Sequence, residues 1–259
     1  MFFSSNFRVG LLQIDNNSLL NNQGILSILE EAADMHSASI GYGVNDISKT
    51  NLSWILLNWK VQIFKRPKYS DKVLVKTWTR LVNKFYTYRD FEVYDENNNL
   101  LIIATSKWIL IDAQKRSIAR IEDSMFEQYL PENKSVFNIV EIPKLKEPDV
   151  SKETCTYCVR RNDIDVNGHM HNINYLSLAY EALPYEIYKN SKFNNFEILY
   201  KREIKLGDTV KCFYTFENDS HIITIKSSDL KSLHAIVKLS WPNKYFFSFV
   251  WLTLIFIYS

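Results

Sequence analysis

The spacing of apolar and polar positions predicts one long helix and then several strands in the first half of the chain. After Asn22, apolar residues recur every three or four positions, as on one face of a helix that ends near Ile40 with Gly41 as its stop signal. The recurring positions are Ile25, Leu29, Ala32, Ala33, His36 and Ile40. From Trp59 to Ile63, apolar and polar residues alternate one by one, which indicates a strand buried on one face.

Four segments after this helix are rich in β-branched and aromatic residues and are predicted to be strands. They are residues 55–64, 72–81, 86–94 and 100–112. The run of asparagines at 97–99 predicts the turn between the last two strands. The stretch 122–150 is charged and contains three prolines, which is typical of a connector between two folded units.

Two segments of the chain resemble each other at a constant offset of 150 positions. Residues 14–32 and 164–182 share eight identical positions without gaps, which predicts two copies of one structural plan. The identical pairs are Ile14/Ile164, Asp15/Asp165, Asn17/Asn167, Asn22/Asn172, Leu26/Leu176, Ser27/Ser177, Glu31/Glu181 and Ala32/Ala182. A second echo aligns residues 64–67 with residues 200–203 and places Pro67 opposite Glu203.

The second copy has the same order of elements as the first. Asn172 is expected to cap a helix that Pro184 ends or kinks, as Asn22 caps the first helix. A long helix followed by antiparallel strands, occurring twice, predicts an α+β fold in which curved sheets wrap the helices and join edge to edge. We expect the first module to occupy residues 1–135 and the second to occupy residues 150–259.

The composition is that of a globular chain and argues against several functional classes. Hydrophobic residues make up 46% of the 259 residues and charged residues 23%, which excludes a disordered chain. A formal net charge of +2 is too balanced to indicate a nucleic-acid-binding protein. Three cysteines are too few for a disulfide framework, so we expect a reducing, cytoplasmic location. No signal-peptide pattern opens the sequence.

The C-terminal run at residues 245–258 is uncharged and differs from the rest of the chain. It is shorter than the roughly 17–25 residues that a helix needs to span a bilayer. Its aromatic and β-branched content favours a final buried strand or an atypical apolar tail. A membrane contact by this tail is the less favoured alternative.

A cluster of polar and ionisable residues precedes the second helix. Asp165, Asn167 and His169 are spaced by two, so in an extended segment their side chains point to one side. A carboxylate, an amide and an imidazole beside a helix N-terminus can carry acid–base chemistry and stabilise an oxyanion. On the pattern alone, a polar turn that only caps the helix is an equally good interpretation.

The repeat favours the catalytic interpretation of this cluster. The first copy keeps the aspartate and the asparagine, but it has Leu19 where the second copy has His169. It also has Pro67 where the second copy has Glu203. The ionisable pair therefore occurs only once, which predicts a duplicated scaffold with one chemically competent half.

Two segments of the second copy resemble the acyl-acyl carrier protein thioesterases of plants and bacteria. They are residues 159–169, with the sequence VRRNDIDVNGH, and residues 199–203, with the sequence LYKRE. The 34-residue step from the histidine to the glutamate also agrees with that family. In the first half, the tryptophan-bearing strand around Trp54 and Trp59 is similar too, so the resemblance covers roughly residues 5–241.

The resemblance implies a double hotdog fold, with two tandem modules that each wrap a long helix in an antiparallel sheet. It also implies an enzyme that hydrolyses the thioester between a fatty acyl chain and acyl carrier protein, with Asp165, Asn167, His169 and Glu203 as the catalytic network. Plant members often carry a cysteine directly after this glutamate. Ile204 occupies that place here, so a cysteine nucleophile is not available at that position.

The resemblance further implies where the substrate and its carrier lie. In this family the first half houses the acyl chain. The candidate chain-lining residues are Ile25, Leu29, Trp54, Leu56 and Trp59. Acyl carrier protein is acidic, so basic residues near the predicted chemistry are candidates for docking it. These docking candidates are Arg160, Arg161, Lys201 and Arg202.

No cofactor or metal is expected, and several questions stay open. Cys155 and Cys158 form a C-x-x-C pair, but no second pair completes a zinc site, so structural cysteines are favoured. A hotdog hydrolase of acyl-coenzyme A and a non-catalytic acyl- or carrier-binding module are the alternative functions. The sequence does not decide whether Glu203 acts as base or nucleophile, or whether two copies form a homodimer.

Overall fold

A computed structural model of the chain describes residues 2–81, 83–190 and 192–241. The first half contains the strands β1 Phe3–Arg8, β2 Leu52–Ile63, β3 Lys72–Leu81, β4 Tyr86–Asp95, β5 Leu100–Asp112 and β6 Ser117–Ile118. The second half contains the strands β7 Lys152–Cys158, β8 Asn195–Tyr200, β9 Thr209–Glu217, β10 Ser220–Ser227 and β11 Leu233–Ser240. The helices are α1 Asn22–Ala38, α2 Ile47–Thr50, α3 Asp123–Glu127, α4 Asn172–Glu181 and α5 Tyr185–Asn190.

These strands form one antiparallel sheet whose two halves have the same strand order when each is followed from the centre to its edge. The strand order is β1-β3-β4-β5-β2-β8-β11-β10-β9-β7, and β6 pairs with β5 outside this path. Read outwards from the centre, β2-β5-β4-β3-β1 on one side corresponds to β8-β11-β10-β9-β7 on the other. The predicted α+β class and the duplicated order of elements are therefore confirmed.

The two halves join through the pairing of β2 with β8. In this register Trp59 lies opposite Ile198, and both side chains are fully buried. One position further, Lys60 lies opposite Glu197 and forms an ion pair of 3.1 Å between Nζ and Oε1. A cross-strand pair of opposite charge beside a buried apolar pair fixes the register of the two strands.

The two long helices share one hydrophobic core on the inner face of the sheet. Leu29 of α1 and Leu176 of α4 are fully buried in the same apolar cluster as Trp59 and Ile198. Helices α1 and α4 also contact each other. The halves are therefore packed against a common interior, and a cavity between the helices is bounded by residues of both.

The helix boundaries differ slightly from the predicted ones. The residues that cap α1 and α4 are Asn21 and His171, whereas Asn22 and Asn172 are the first helical residues. The Asn21 Oδ1 atom accepts the Gly24 N–H at 2.7 Å, and the imidazole of His171 fills the same role in α4. The predicted caps were wrong by one position, because the side chain that precedes the first turn reaches its free N–H groups.

The connector between the halves crosses the outer face of the sheet. The indole N–H of Trp78 donates to the Lys134 carbonyl at 2.8 Å, and the Ile142 N–H donates to the Tyr88 hydroxyl at 3.1 Å. Further along, Leu145 packs on a small apolar cluster of the second half. The module boundaries at residues 135 and 150 fall in this connector and stay a prediction, and the apolar run 245–258 lies outside the described residues.

Arg66 ties the two halves together just after β2. Its guanidinium donates to the Leu20 carbonyl at 2.9 Å and to the Phe193 carbonyl at 2.7 Å. Leu20 belongs to the first half and Phe193 precedes β8 in the second. Burial lowers the pKa of Arg66, but the two carbonyls suit a cationic donor.

We expect Arg66→Ala to lower the free energy of unfolding by roughly 3 kcal/mol, because two partly buried carbonyls lose a charged donor. Lys65→Ala is the matched control, since Lys65 is the exposed neighbour of Arg66 in the sequence. This substitution should change the free energy of unfolding by no more than about 0.5 kcal/mol. Urea denaturation of both variants measures the difference. Equal midpoints for the two variants would contradict the linking role of Arg66.

Candidate functional site

The segment that carries Asp165, Asn167 and His169 is a tight turn, not the extended segment that the spacing suggested. Asp165 Oδ1 accepts the backbone N–H groups of Asn167 at 2.8 Å and His169 at 3.2 Å. The Asp165 N–H in turn donates to the His169 carbonyl at 2.8 Å. Asp165 therefore holds the backbone of the turn, while the Asn167 side chain is exposed.

The first half contains the same turn with the same hydrogen bonds. Asp15 Oδ1 accepts the N–H groups of Asn17 at 2.8 Å and Leu19 at 3.0 Å. The left-handed position of the turn is Gly168 in the second half, with φ +79°, and Ser18 in the first, with φ 60°. Asp165 and Asn167 are thus part of a turn that both copies need, so their presence alone does not identify a reactive site.

The ionisable pair meets beside this turn, as the repeat comparison suggested. His169 Nε2 lies 3.1 Å from Glu203 Oε2, with side chains 27% and 44% exposed. Two cations also approach Glu203 Oε1, namely Arg116 Nη2 at 3.4 Å and Lys205 Nζ at 3.6 Å. An imidazole in contact with a carboxylate, both reachable from solvent, can take a proton from a water molecule.

The structural counterpart of Glu203 in the first half is Arg66, not Pro67. The Met170 N–H donates to the Ile204 carbonyl at 2.8 Å, and its counterpart Leu20 donates to the Pro67 carbonyl at 2.8 Å. Glu203 and Arg66, which directly precede these two carbonyl residues, therefore occupy equivalent positions. The alignment made from the sequence was wrong by one position, because it paired residues 136 positions apart, whereas these hydrogen bonds pair residues 137 positions apart.

A cavity of about 550 Å³ lies between the two helices, within the size range of small-ligand sites. Its apolar lining includes Ala33, Tyr42, Val44, Ile47, Trp54, Trp108, Ile164 and Ile173. Its polar lining includes Glu30, Asp34, Thr79, Thr87, Arg89, Asp165, Asn167, His171 and Asn172. The turn supplies Asp165 and Asn167 to this lining, whereas His169 and Glu203 are not among the lining residues.

The cavity wall includes the buried Arg89, whose guanidinium contacts the buried imidazole of His36. Arg89 Nη1 lies 2.8 Å from His36 Nδ1, and the two residues are 4% and 6% exposed. Burial, followed by the charge of Arg89, lowers the pKa of His36 to about 3. Burial lowers the pKa of Arg89 to about 10. At neutral pH a cationic guanidinium, hydrogen-bonded to a neutral imidazole, therefore borders the cavity.

A carboxyl group of α1 borders the cavity. The Oε1 atom of Glu30 is buried and has no hydrogen-bond partner among the residues that the structure describes. Burial raises the pKa of Glu30 to about 8; a contact with the Trp59 side chain acts in the opposite direction, and the charge of Asp165 adds to the rise. Glu30 is therefore mainly a neutral carboxylic acid near pH 7.

One of the five residues expected to line the acyl chain lies at the cavity. Trp54 lines it and donates its indole N–H to the Tyr129 hydroxyl at 2.9 Å. The other four are buried in the common core and are not among the lining residues. They are Ile25, Leu29, Leu56 and Trp59. Their apolar character serves the packing of α1 and β2 against the sheet.

The four basic residues expected to dock a carrier are all exposed. Lys201 and Arg202 line a shallow depression together with Glu203, Lys205 and His234. Arg160 forms an ion pair of 3.1 Å with the buried Asp163 and thereby supports its own loop. The structure thus places Lys201 and Arg202 beside the His169–Glu203 pair, and gives Arg160 a structural contact.

Sequence reasoning missed three residues of this site. Glu30 lies between Leu26 and Ala33 on the apolar face of α1, and a carboxylate at such spacing is a usable signal. His171 caps α4 and lines the cavity. Arg116 reaches Glu203 from the first half, at a distance in sequence that no local pattern reveals.

The cysteines form no metal site within the described residues. Cys155 and Cys212 lie opposite each other on β7 and β9, and Cys155, Cys158 and Cys212 are all free thiols. No group of three potential metal ligands occurs in the part of the chain that the structure describes. In the same part, no helix has the length and apolar character that crossing a membrane requires.

Comparison with known proteins places the whole described fold in one group. The solved acyl-ACP thioesterase of Bacteroides thetaiotaomicron superposes with a TM-score of 0.82 at 22% identity, covering 92% of this chain and 97% of that one. The 12:0-ACP thioesterase of Umbellularia californica superposes with a TM-score of 0.76 at 22% identity, covering 94% and 98%. This likeness confirms the expected double hotdog architecture.

Sequence comparison gives the same group. A curated relative, the chloroplastic oleoyl-acyl carrier protein thioesterase 2 of Arabidopsis thaliana, is 26% identical over 239 residues. The match covers 86% of this chain but only 65% of that relative, so the chain spans less than two thirds of its length. The family profiles of the acyl-ACP thioesterase N-terminal domain and C-terminal domain match residues 1–129 and 146–241. The chain belongs to the acyl-ACP thioesterase family.

Proposed function

We propose that this protein hydrolyses the thioester that links a fatty acyl chain to acyl carrier protein. The observation that carries the proposal is the contact of 3.1 Å between His169 Nε2 and Glu203 Oε2. This pair occurs in one half only, because the equivalent positions in the first half are Leu19 and Arg66. An acid–base pair that one copy lacks is not required by the fold, so it points to chemistry.

The roles of the four candidate residues follow from their surroundings. Glu203 and His169 activate a water molecule for attack on the thioester carbonyl. The amide of Asn167 polarises that carbonyl, since Asn167 borders the cavity. Asp165 acts as a positioning residue, because its carboxylate is engaged by the backbone of the turn.

The cavity between the helices supports an acyl chain as the substrate group. It extends from the turn into the first half, past Trp54, Trp108 and Ile47, with a volume of about 550 Å³. The chain would contact these residues and not the buried side chains of the common core. The reacting carbonyl then lies at the end of the cavity that Asp165 and Asn167 border.

The carrier protein is proposed as the partner because the surface beside Glu203 is basic. Lys201, Arg202 and Lys205 lie around the depression next to Glu203, and all three are exposed. An acidic carrier that presents its prosthetic arm here would bring the thioester to the His169–Glu203 pair.

Removing the carboxylate of the pair is expected to abolish turnover. Glu203→Gln should lower kcat by at least about 100-fold, since general acid–base catalysis contributes about that much or more. His169→Leu, which restores the residue type of the first half, should have a similar effect. Release of free fatty acid from acyl-acyl carrier protein measures both.

Glu153→Gln is the matched control for these variants. Its carboxylate is also in an ion pair, with Lys211 at 3.0 Å, and is 43% exposed against 44% for Glu203. It should keep wild-type turnover. Near-normal activity of Glu203→Gln would reject the proposed role of the pair.

Reversing a charge at the depression is expected to weaken carrier binding selectively. Arg202→Glu should raise KM for acyl-acyl carrier protein about tenfold at low salt, and less at high salt. Hydrolysis of a small uncharged acyl thioester serves as the internal comparison and should change little. Lys65→Glu, at the equivalent position of the first half, is the control and should behave as wild type. An equal loss on all substrates would indicate damage to the site and not a docking role.

A further inference from the structure

The repeat relates two side chains that each extend from one helix into the other half. Glu30 of α1 and Tyr180 of α4 occupy equivalent positions in the two copies. The Tyr180 hydroxyl accepts a hydrogen bond from Asn22 Nδ2 at 2.8 Å, at the start of the helix of the first half. Glu30 correspondingly borders the same cavity as Asn172, which is the counterpart of Asn22.

The two equivalent places differ in whether they are filled. At the start of α1, the Tyr180 hydroxyl accepts a hydrogen bond from the Asn22 side chain, and Arg66 donates to the Leu20 and Phe193 carbonyls. At the start of α4, the side chain from the other helix is Glu30, which is shorter than Tyr180 and borders the open cavity. Its buried Oε1 atom has no hydrogen-bond partner among the described residues. A buried polar group without a partner is costly, so a bound ligand that pairs with it is favoured.

We propose that Glu30 is the contribution of the first half to the active site, where its neutral carboxylic acid donates a hydrogen bond to the oxygen of the bound acyl thioester. This inference rests on the proposed function. It assigns to α1 a residue that touches the substrate, although the acid–base pair belongs entirely to the second half. The hydrogen bond would hold the thioester at the end of the cavity that Asp165 and Asn167 border, since the charge of Asp165 acts on Glu30.

The surroundings of Glu30 favour its neutral form. Burial is the main cause of its raised pKa of about 8, and the negative charge of Asp165 acts in the same direction. Burial also raises the pKa of Tyr200 on β8, and the nearby Glu30 adds to that rise, so Tyr200 is an uncharged neighbour of Glu30. The other ionisable groups that border the cavity are Glu31, Asp34, Tyr42, Arg89 and His171. A neutral acid has the O–H that a carboxylate lacks.

The test is the pH dependence of kcat/KM for acyl-acyl carrier protein between pH 6 and pH 10. Wild-type kcat/KM should fall about tenfold per pH unit above the pKa of about 8. Glu30→Gln keeps a neutral donor of the same size, so it should retain activity within about threefold at pH 7 and lack this alkaline loss. Glu30→Leu has no donor and should lose at least about tenfold at pH 7.

Glu153→Gln is again the control, because Glu153 is an exposed carboxylate on β7 and is not among the residues that line the cavity. It should reproduce the wild-type pH profile. The proposal is overturned if Glu30→Gln keeps the alkaline loss, if it is inactive at pH 7, or if Glu30→Leu matches wild type. A wild-type protein without activity on any acyl-carrier substrate would instead reject the proposed function.

Unfolding without substrate gives a second readout that does not depend on catalysis. The pKa of Glu30 is raised from its ordinary 4.5 to about 8 in the folded protein, so the folded state holds the proton more tightly. The stability that this provides is complete below pH 4.5 and is lost as the pH rises to about 8. Glu30→Gln should therefore be more stable relative to wild type at pH 8 than at pH 5. An equal difference at both pH values would contradict a buried neutral acid.

Discussion

The pairing of β2 with β8 is the constraint on which the rest of the structure depends. It makes two half-sheets into one, with Trp59 and Ile198 buried side by side at the join and the ion pair of Lys60 and Glu197 next to them. Because the sheet is continuous, α1 and α4 must pack against each other and share one core. The cavity between the helices exists only because the join brings them together, and both halves therefore supply its walls.

The two copies show how one plan yields an anchor in one half and a reactive site in the other. Both keep the aspartate-closed turn before the helix, with nearly the same hydrogen-bond lengths. The difference lies in the side chains that reach the turn. Arg66 fills the first site and bonds across to the second half, whereas Glu203 leaves the second site accessible and contacts His169.

Much of the fold could be predicted from local patterns, but the cavity could not. The strands at residues 72–81 and 100–112 have the predicted bounds, because β-branched and aromatic residues there alternate with clear turn signals. Comparison of the two copies also singled out His169 and Glu203 as the ionisable pair that occurs once, and the two side chains are in contact. The lining of the cavity depends on which helix faces come together across the join, and no local pattern contains that information. For the same reason Ile25 and Leu29, which are apolar as expected, belong to the core, and the polar Glu30 reaches the cavity.

The connector that crosses the outer face from Lys134 to Leu145 has a consequence for how the paired halves respond to dilution. Two separate subunits that meet through such a strand pairing would come apart as their concentration falls. Here a covalent tether keeps the partners at a high effective concentration, so their association is a first-order event within one molecule. Fusion also freed each copy to change without its partner changing in the same way. The asymmetry between Arg66 and Glu203 is one that a dimer of identical chains could not have acquired.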